Sequence, residues 1–302
     1  MVAAKGSRDP ADERDGVPKM SLAVHPRTPA SHAAGCAVRE EHEAFVPLPA
    51  VMLPLRTRSV SLLTLLLQDA AIDLELASSV VGLDPGLAFA TLHLANARRR
   101  EAAPIWQLPL AIVEAGRESL EYLVRHARTV EGNAAGRGRL VEVADHAVAR
   151  ACVGHGLARE LDTCSPRKAF LCGLLFDLPQ LAPAGHAASP SAGALLAALV
   201  RLLPADMVRA VTVADTAATV DALAALVLLA DAVVAAQSTP AADRIEELAA
   251  SGLWRCWNDI DGGRRRTLLD RAFDVAGWAA ASLAGMHPWE FMAKLESRSS
   301  RR

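Results

Sequence analysis

Aromatic side chains are scarce in this chain. Phe, Trp and Tyr make up 4% of its 302 residues, and tyrosine occurs once. β-Sheets draw on aromatic and β-branched residues, so a chain rich in alanine and leucine points to an all-α protein. An excess of one charge is also missing. The 32 Lys and Arg stand against 34 Asp and Glu, so no overall basic field draws the molecule to nucleic acid or to an anionic membrane. Paired cysteines are missing too. Cys36, Cys152, Cys164, Cys172 and Cys256 are odd in number and contain no CxxC spacing. That argues against a zinc ribbon or a disulfide framework and suits a reducing cytoplasm. The longest apolar stretch, Ala222 to Ala236, is broken by Asp231 and is too short to span a bilayer. It reads as a buried core helix. The first residues carry Lys5, Arg8, Asp9 and Asp12 and hold no apolar signal core. P-loop, GxSxG and GxGxxG patterns are absent, and the glycines of 132–138 lack the Lys-Ser/Thr that a phosphate loop needs.

What is present is a succession of helical patterns behind a different kind of segment. Residues 1–44 mix charges of both signs with Gly and Pro and hold almost no large apolar residues, the composition of a disordered tail. Met20 offers an alternative start within it. A proline-stiffened lead-in, Val46 to Pro54, opens the domain, expected over 45–290. Apolar periodicity predicts a helix over 59–68, and Asp73 caps another that runs to Val81. Asp84-Pro85 starts a third, with a capping carboxylate ahead of a proline at the first helical position. Helices follow at 109–115 and 117–130, on either side of Gly116. The glycine-rich break at 132–138 divides two helical sub-bundles, about 45–131 and 139–290. The second begins with a long helix over 139–161 and one from Ser165-Pro166 to Leu178. Pro179 to Pro190 forms a loop, and later helices reach 288–296, trailing into a C-terminal tail over 291–302. No strand pattern stands out.

Several of these stretches carry motifs. Asp84-Pro85-Gly-Leu87-Ala88, followed by Leu92-His-Leu94-Ala95-Asn96, resembles the signature of the HDOD family, D-P-x-L-A then L-x-L-A-N. HDOD domains are all-helical relatives of the HD-domain phosphohydrolases. Downstream, Ala111-Ile112-Val113 with Gly116, then Asp145-His146, then Ala169 to Leu178, then Leu226 to Asp231 resemble later family segments in the same order. The resemblance covers roughly residues 47–285. Asn96 is placed to hydrogen-bond loop backbone at its helix end.

HD enzymes hold metal with a set written H…HD…D, ligands that suit divalent ions able to activate water. Carried onto this chain, the matching positions are His146, Phe176, Asp177 and Asp231. Phe176 stands where the second histidine belongs, and a benzyl group cannot ligate a metal. Pro179 and Gln180 replace the glycine and lysine that often follow, and Val211 to Asp215 contains no histidine. The resemblance therefore implies a vestigial site without a metal or cofactor, whose polar residues cap helices or pair with arginines.

Other candidates are weaker. His155 lies nine residues beyond His146, on a different face of the same helix. Cys164 and Cys172 read as small hydrophobes. Arg98-Arg99-Arg100 and Arg264-Arg265-Arg266 read as solvated helix ends. Trp254, Trp257, Trp278 and Trp289 read as core packing, with a docking surface near His287-Pro288-Trp289 as the alternative. The expected function is a non-catalytic regulatory module of bacterial signal transduction in the cytoplasm. It binds a partner protein or small effector and shifts conformation between its sub-bundles. With no second signalling domain in these residues, input is expected by non-covalent contact or through the tail. Two alternatives stand beside it: a divergent metal-dependent phosphohydrolase using His146, Asp177 and Asp231, and a nucleic-acid-associated regulator using the arginine clusters.

Overall fold

Most helix starts fall where the local signals place them. The computed structural model describes residues 53–69, 71–97, 99, 102–130, 137–181, 191–212, 221–238, 241–283, 286 and 288–300. The expected tail over 1–44 and most of the glycine-rich break lie outside them, as do residues 182–190 and 213–220.

A two-residue strand, β1 (Leu55–Arg56), leads into α1 (Thr57–Gln68). Asp73 opens α2 (Leu74–Gly82): its Oδ1 accepts from the N–H groups of Glu75 and Leu76, both at 3.0 Å. Asp84 opens α3 (Pro85–Asn96) in the same way, accepting from the Leu87 N–H at 3.0 Å. Pro85 takes the first helical position, where its missing N–H leaves nothing unpaired, and each such cap contributes about 1 kcal/mol. Leu87, Ala88, Leu92 and Ala95 are buried on α3, and Leu94 packs at the margin of the core. Asn96 closes the following loop. Its Nδ2 donates to the Leu92 and Ile105 carbonyls at 2.9 and 2.8 Å, and its Oδ1 accepts from the Ile105 N–H at 2.8 Å.

The two helices expected around Gly116 run together as α4 (Leu108–His126), broken sharply at that residue. Gly116 has φ 74° and ψ 159°, a region open essentially to glycine alone. Strand β2 (Thr129–Val130) then pairs in parallel with β1, Leu55 opposite Thr129 and Arg56 opposite Val130. A pair this short leaves no alternation in the sequence.

The second group of helices is built around α5 (Arg137–Leu161). It packs on α6 (Pro166–Leu175), on α9 (Ala222–Ala235) and on α11 (Gly262–Leu283). Between α6 and α9 come α7 (Ala192–Leu202) and α8 (Ala205–Thr212), and α10 (Ala241–Ala250) precedes α11. The composition explains the closeness of these contacts. Ala147, Ala151, Gly154 and Ala158 recur at helical spacing on α5 and are buried. A Cβ added at Gly173 of α6 would lie 2.9 Å from the Ala151 Cα, and one at Gly154 would lie 3.3 Å from the Ala169 carbonyl oxygen. Backbone thus meets backbone where larger side chains would hold the helices apart. Helix α9 is buried from Leu223 to Ala230, as its apolar run implies. Among the described residues no helix is long and apolar enough to cross a membrane.

Two expectations need correction. The helix expected to reach Leu178 stops at Leu175, and a 3₁₀ turn over Leu178–Leu181 follows, because Pro179 cannot continue an α-helix. Of the C-terminal tail expected over 291–302, residues 291–300 are instead part of α12 (Pro288–Ser300), and 301–302 lie outside the described residues. Phe291 and Leu295, one turn apart, are wholly buried, and the Phe291 ring stacks on Trp278 at 4.6 Å between centroids. Helix α12 packs on α2 and α5.

Candidate functional site

His146 and Arg150 stand one turn apart on α5 and so project toward the same neighbours. The end of α6 delivers Phe176 and Asp177, and α9 delivers Asp231. The three residues carried over from the HD set do meet: one donor atom each from His146, Asp177 and Asp231 lies within 4.8 Å of the others. Nε2 of His146 is 3.4 Å from Oδ1 of Asp231.

Arg150 occupies the middle of this group, and nothing in the family motif pointed to it. Its side chain is fully buried. Nε donates to the Gly173 carbonyl at 2.8 Å. Nη1 donates to Asp177 Oδ2 at 2.5 Å and also to Asp231 Oδ1. Nη2 is buried without a hydrogen-bond partner. The guanidinium carbon lies 4.8 Å from the centroid of the Phe176 ring, a cation–π contact. Gln180 completes the enclosure, donating from Nε2 to Asp177 Oδ1 at 2.7 Å. One guanidinium nitrogen therefore sits between the two carboxylates. The ring found in place of the motif histidine lies against that cation.

The electrostatics follow. Burial pushes the Asp231 carboxyl up, but the hydrogen bond from His146 and the Arg150 charge outweigh it and hold the group below the usual carboxylate range. Its contribution to stability is present above about pH 4 and is lost as the pH falls further. A signal for Arg150 did exist in the sequence. It is the one charged residue in Ala147-Val-Ala-Arg-Ala-Cys-Val, and a charge in so apolar a run must be paired inside the fold.

His155 is apart from this group. Its ring meets Phe170 edge-on at 6.5 Å, and its Nδ1 is buried without a hydrogen-bond partner. Burial, with help from Arg159 and Arg167, pushes its pKa down to about 4. An unfolded chain takes up this proton near pH 6.5 and the folded chain only near pH 4, so acidification through that window favours unfolding. Urea melts between pH 7 and pH 4 should lose about 2 kcal/mol from this residue, and His155→Phe should flatten that part of the profile. An unchanged profile in the variant would refute the assignment.

The remaining candidates are accounted for by packing. Cys152 and Cys172 are buried, with thiol pKa values pushed up by burial, and Cys164 is half-buried. Trp254 and Trp257 are buried, and Trp254 Nε1 donates to the Leu248 carbonyl at 2.8 Å. Arg265 donates to the Ile260 carbonyl at 2.9 Å and lies over Trp254, and Arg266 pairs with Glu246 at 2.8 Å. Arg99 faces Glu114 at 3.5 Å. Arg98, Arg100, His287, Arg301 and Arg302 lie outside the described residues.

A histidine on a central helix, a Phe-Asp pair closing the next and an aspartate on a buried later helix define an HD-like helical domain. The chain belongs to the HDOD-domain family, whose family model matches residues 53–230. The crystal structure of the MmoQ response regulator from Methylococcus capsulatus str. Bath is similar, with a TM-score of 0.54 and 19% identity. The match covers 71% of this chain and 97% of that one. A fragment of the same regulator, residues 20–298, gives a TM-score of 0.38 at 20% identity, over 83% of this chain and 92% of that one. No curated protein matches significantly.

Proposed function

We propose that the chain is a non-catalytic regulatory module of bacterial signal transduction. It acts in the cytoplasm and binds a partner protein or a small effector. Family membership and the fold shared with a response regulator support the signalling role. The observation that carries the non-catalytic part is the engagement of both Asp177 and Asp231 by the buried Arg150 guanidinium. As arranged, these residues do not fit a divalent ion. The space between the carboxylates holds a positive charge, and Phe176 supplies a ring where a ligand would be needed. A dication brought within a few ångströms of a buried guanidinium meets strong repulsion.

The nucleic-acid alternative has less behind it, since Arg265 Nε donates to the Ile260 carbonyl and its guanidinium lies over Trp254, while Arg266 is paired with Glu246. Metal analysis of the purified chain, together with a phosphodiester turnover assay, tests the proposal. The expected result is no stoichiometric Mn, Fe or Zn and no turnover. Stoichiometric metal that disappears in Asp177→Ala would overturn it.

A further inference from the structure

The position of Arg150 suggests more than a lost metal site. Its Nη1 contacts both carboxylates at once, which is what a bridging cation does. The charge is fixed in place, because the side chain is wholly buried and anchored through Nε to the Gly173 carbonyl of α6. Nη2 is buried and unpartnered, so the guanidinium is held there by charge and position and not by a full set of hydrogen bonds. His146, Asp177 and Asp231 have meanwhile kept mutual distances within 4.8 Å, one imidazole nitrogen and two carboxylate oxygens. Such a mixed donor set suits Mn, Fe, Co, Ni or Zn, with open positions left for water. The charge balance is simple. Two carboxylates face one guanidinium in this chain, and a dication added to them would leave an excess of positive charge. With the guanidinium replaced by a neutral group, the same dication balances the pair.

We propose that Arg150 is a tethered substitute for a divalent ion, joining α5 to α6 and α9, and that a chain without this charge takes up one divalent transition-metal ion on His146, Asp177 and Asp231. This rests on the non-catalytic reading of the same site.

The test uses the full chain and cobalt chloride as the probe, read by equilibrium dialysis and by visible absorption. Arg150→Gln should bind one Co²⁺ at least roughly a hundredfold more tightly than the unaltered chain, on the scale expected when a close like charge is removed. Arg150→Lys, which keeps the charge, should show no gain. Arg150→Gln combined with Asp177→Asn should lose the gain. A folded Arg150→Gln chain that binds Co²⁺ no better than the unaltered one would overturn the proposal, as would an equal gain in Arg150→Lys. Should Arg150→Gln be recovered unfolded, refolding from urea with and without cobalt chloride replaces dialysis. Refolding only with Co²⁺ supports the proposal, and refolding in neither case overturns it. Metal found in the unaltered chain would sink the non-catalytic reading instead, so the two failures are distinct.

Discussion

Arg150→Met is expected to lower the unfolding free energy by about 3–4 kcal/mol at neutral pH. Removing one partner of a buried ion pair leaves the other charge uncompensated, and here two carboxylates are left facing each other. Asp177 is 14% exposed and Asp231 34%, so water reaches the second more easily and keeps the loss below the upper end for buried pairs. The cost comes from stranded charge more than from a lost contact. The triple variant Arg150→Met, Asp177→Asn, Asp231→Asn should therefore recover more than half of the loss. Urea melts of the single and triple variants decide the matter. A triple variant no more stable than the single would mean that packing of the arginine stem, not charge, dominates.

The second large effect concerns a residue with no side chain. Gly173→Ala should destabilise the fold by about 2–3 kcal/mol, because a Cβ there would sit 2.9 Å from the Ala151 Cα and 3.2 Å from the Arg150 carbonyl carbon. Both atoms are backbone, and no rotamer change relieves the clash. Helices α5 and α6 would have to separate, which also pulls the Gly173 carbonyl away from Arg150 Nε. The same swap at Gly138, whose added Cβ would meet nothing within 4 Å, serves as the control: Gly138→Ala should leave the urea midpoint nearly unchanged. Equal midpoints for the two variants would show that the helices yield freely at Gly173.

These two residues show where sequence reading succeeds and where it stops. Asp73, Asp84, Pro85 and Asn96 were legible because each acts on backbone in its own helix or in the loop beside it, and residue type alone signals the bond. The triad of His146, Asp177 and Asp231 was legible through a resemblance in order and spacing, although the residues are far apart in the chain. For Arg150 only the need for a buried partner was legible, from its apolar surroundings, since the partners themselves lie 27 and 81 residues away and no local pattern names them. The end of the chain was misread for another reason. A helix over 288–296 was legible, but Lys294, Glu296 and Arg298 crowd its later half, so the charge-rich composition hid both its run to Ser300 and the burial of Phe291 and Leu295.

The short pairing of Leu55–Arg56 with Thr129–Val130 has a consequence for how the domain tolerates change. The Arg56 backbone N–H reaches Asp84 Oδ2 at 2.8 Å, and its guanidinium reaches Asp145 of α5 at 2.7 Å. The Leu55 side chain lies where a Cβ on Gly86 would come within 2.8 Å of it. One dipeptide thus indexes the start of α3, the strand after α4 and the central helix to a common register. Successive residues of a strand face opposite sides, so a single inserted or deleted residue just before α1 would send leucine outward and arginine inward. All three alignments would slip together, which makes this two-residue stretch far less forgiving of length changes than its size suggests.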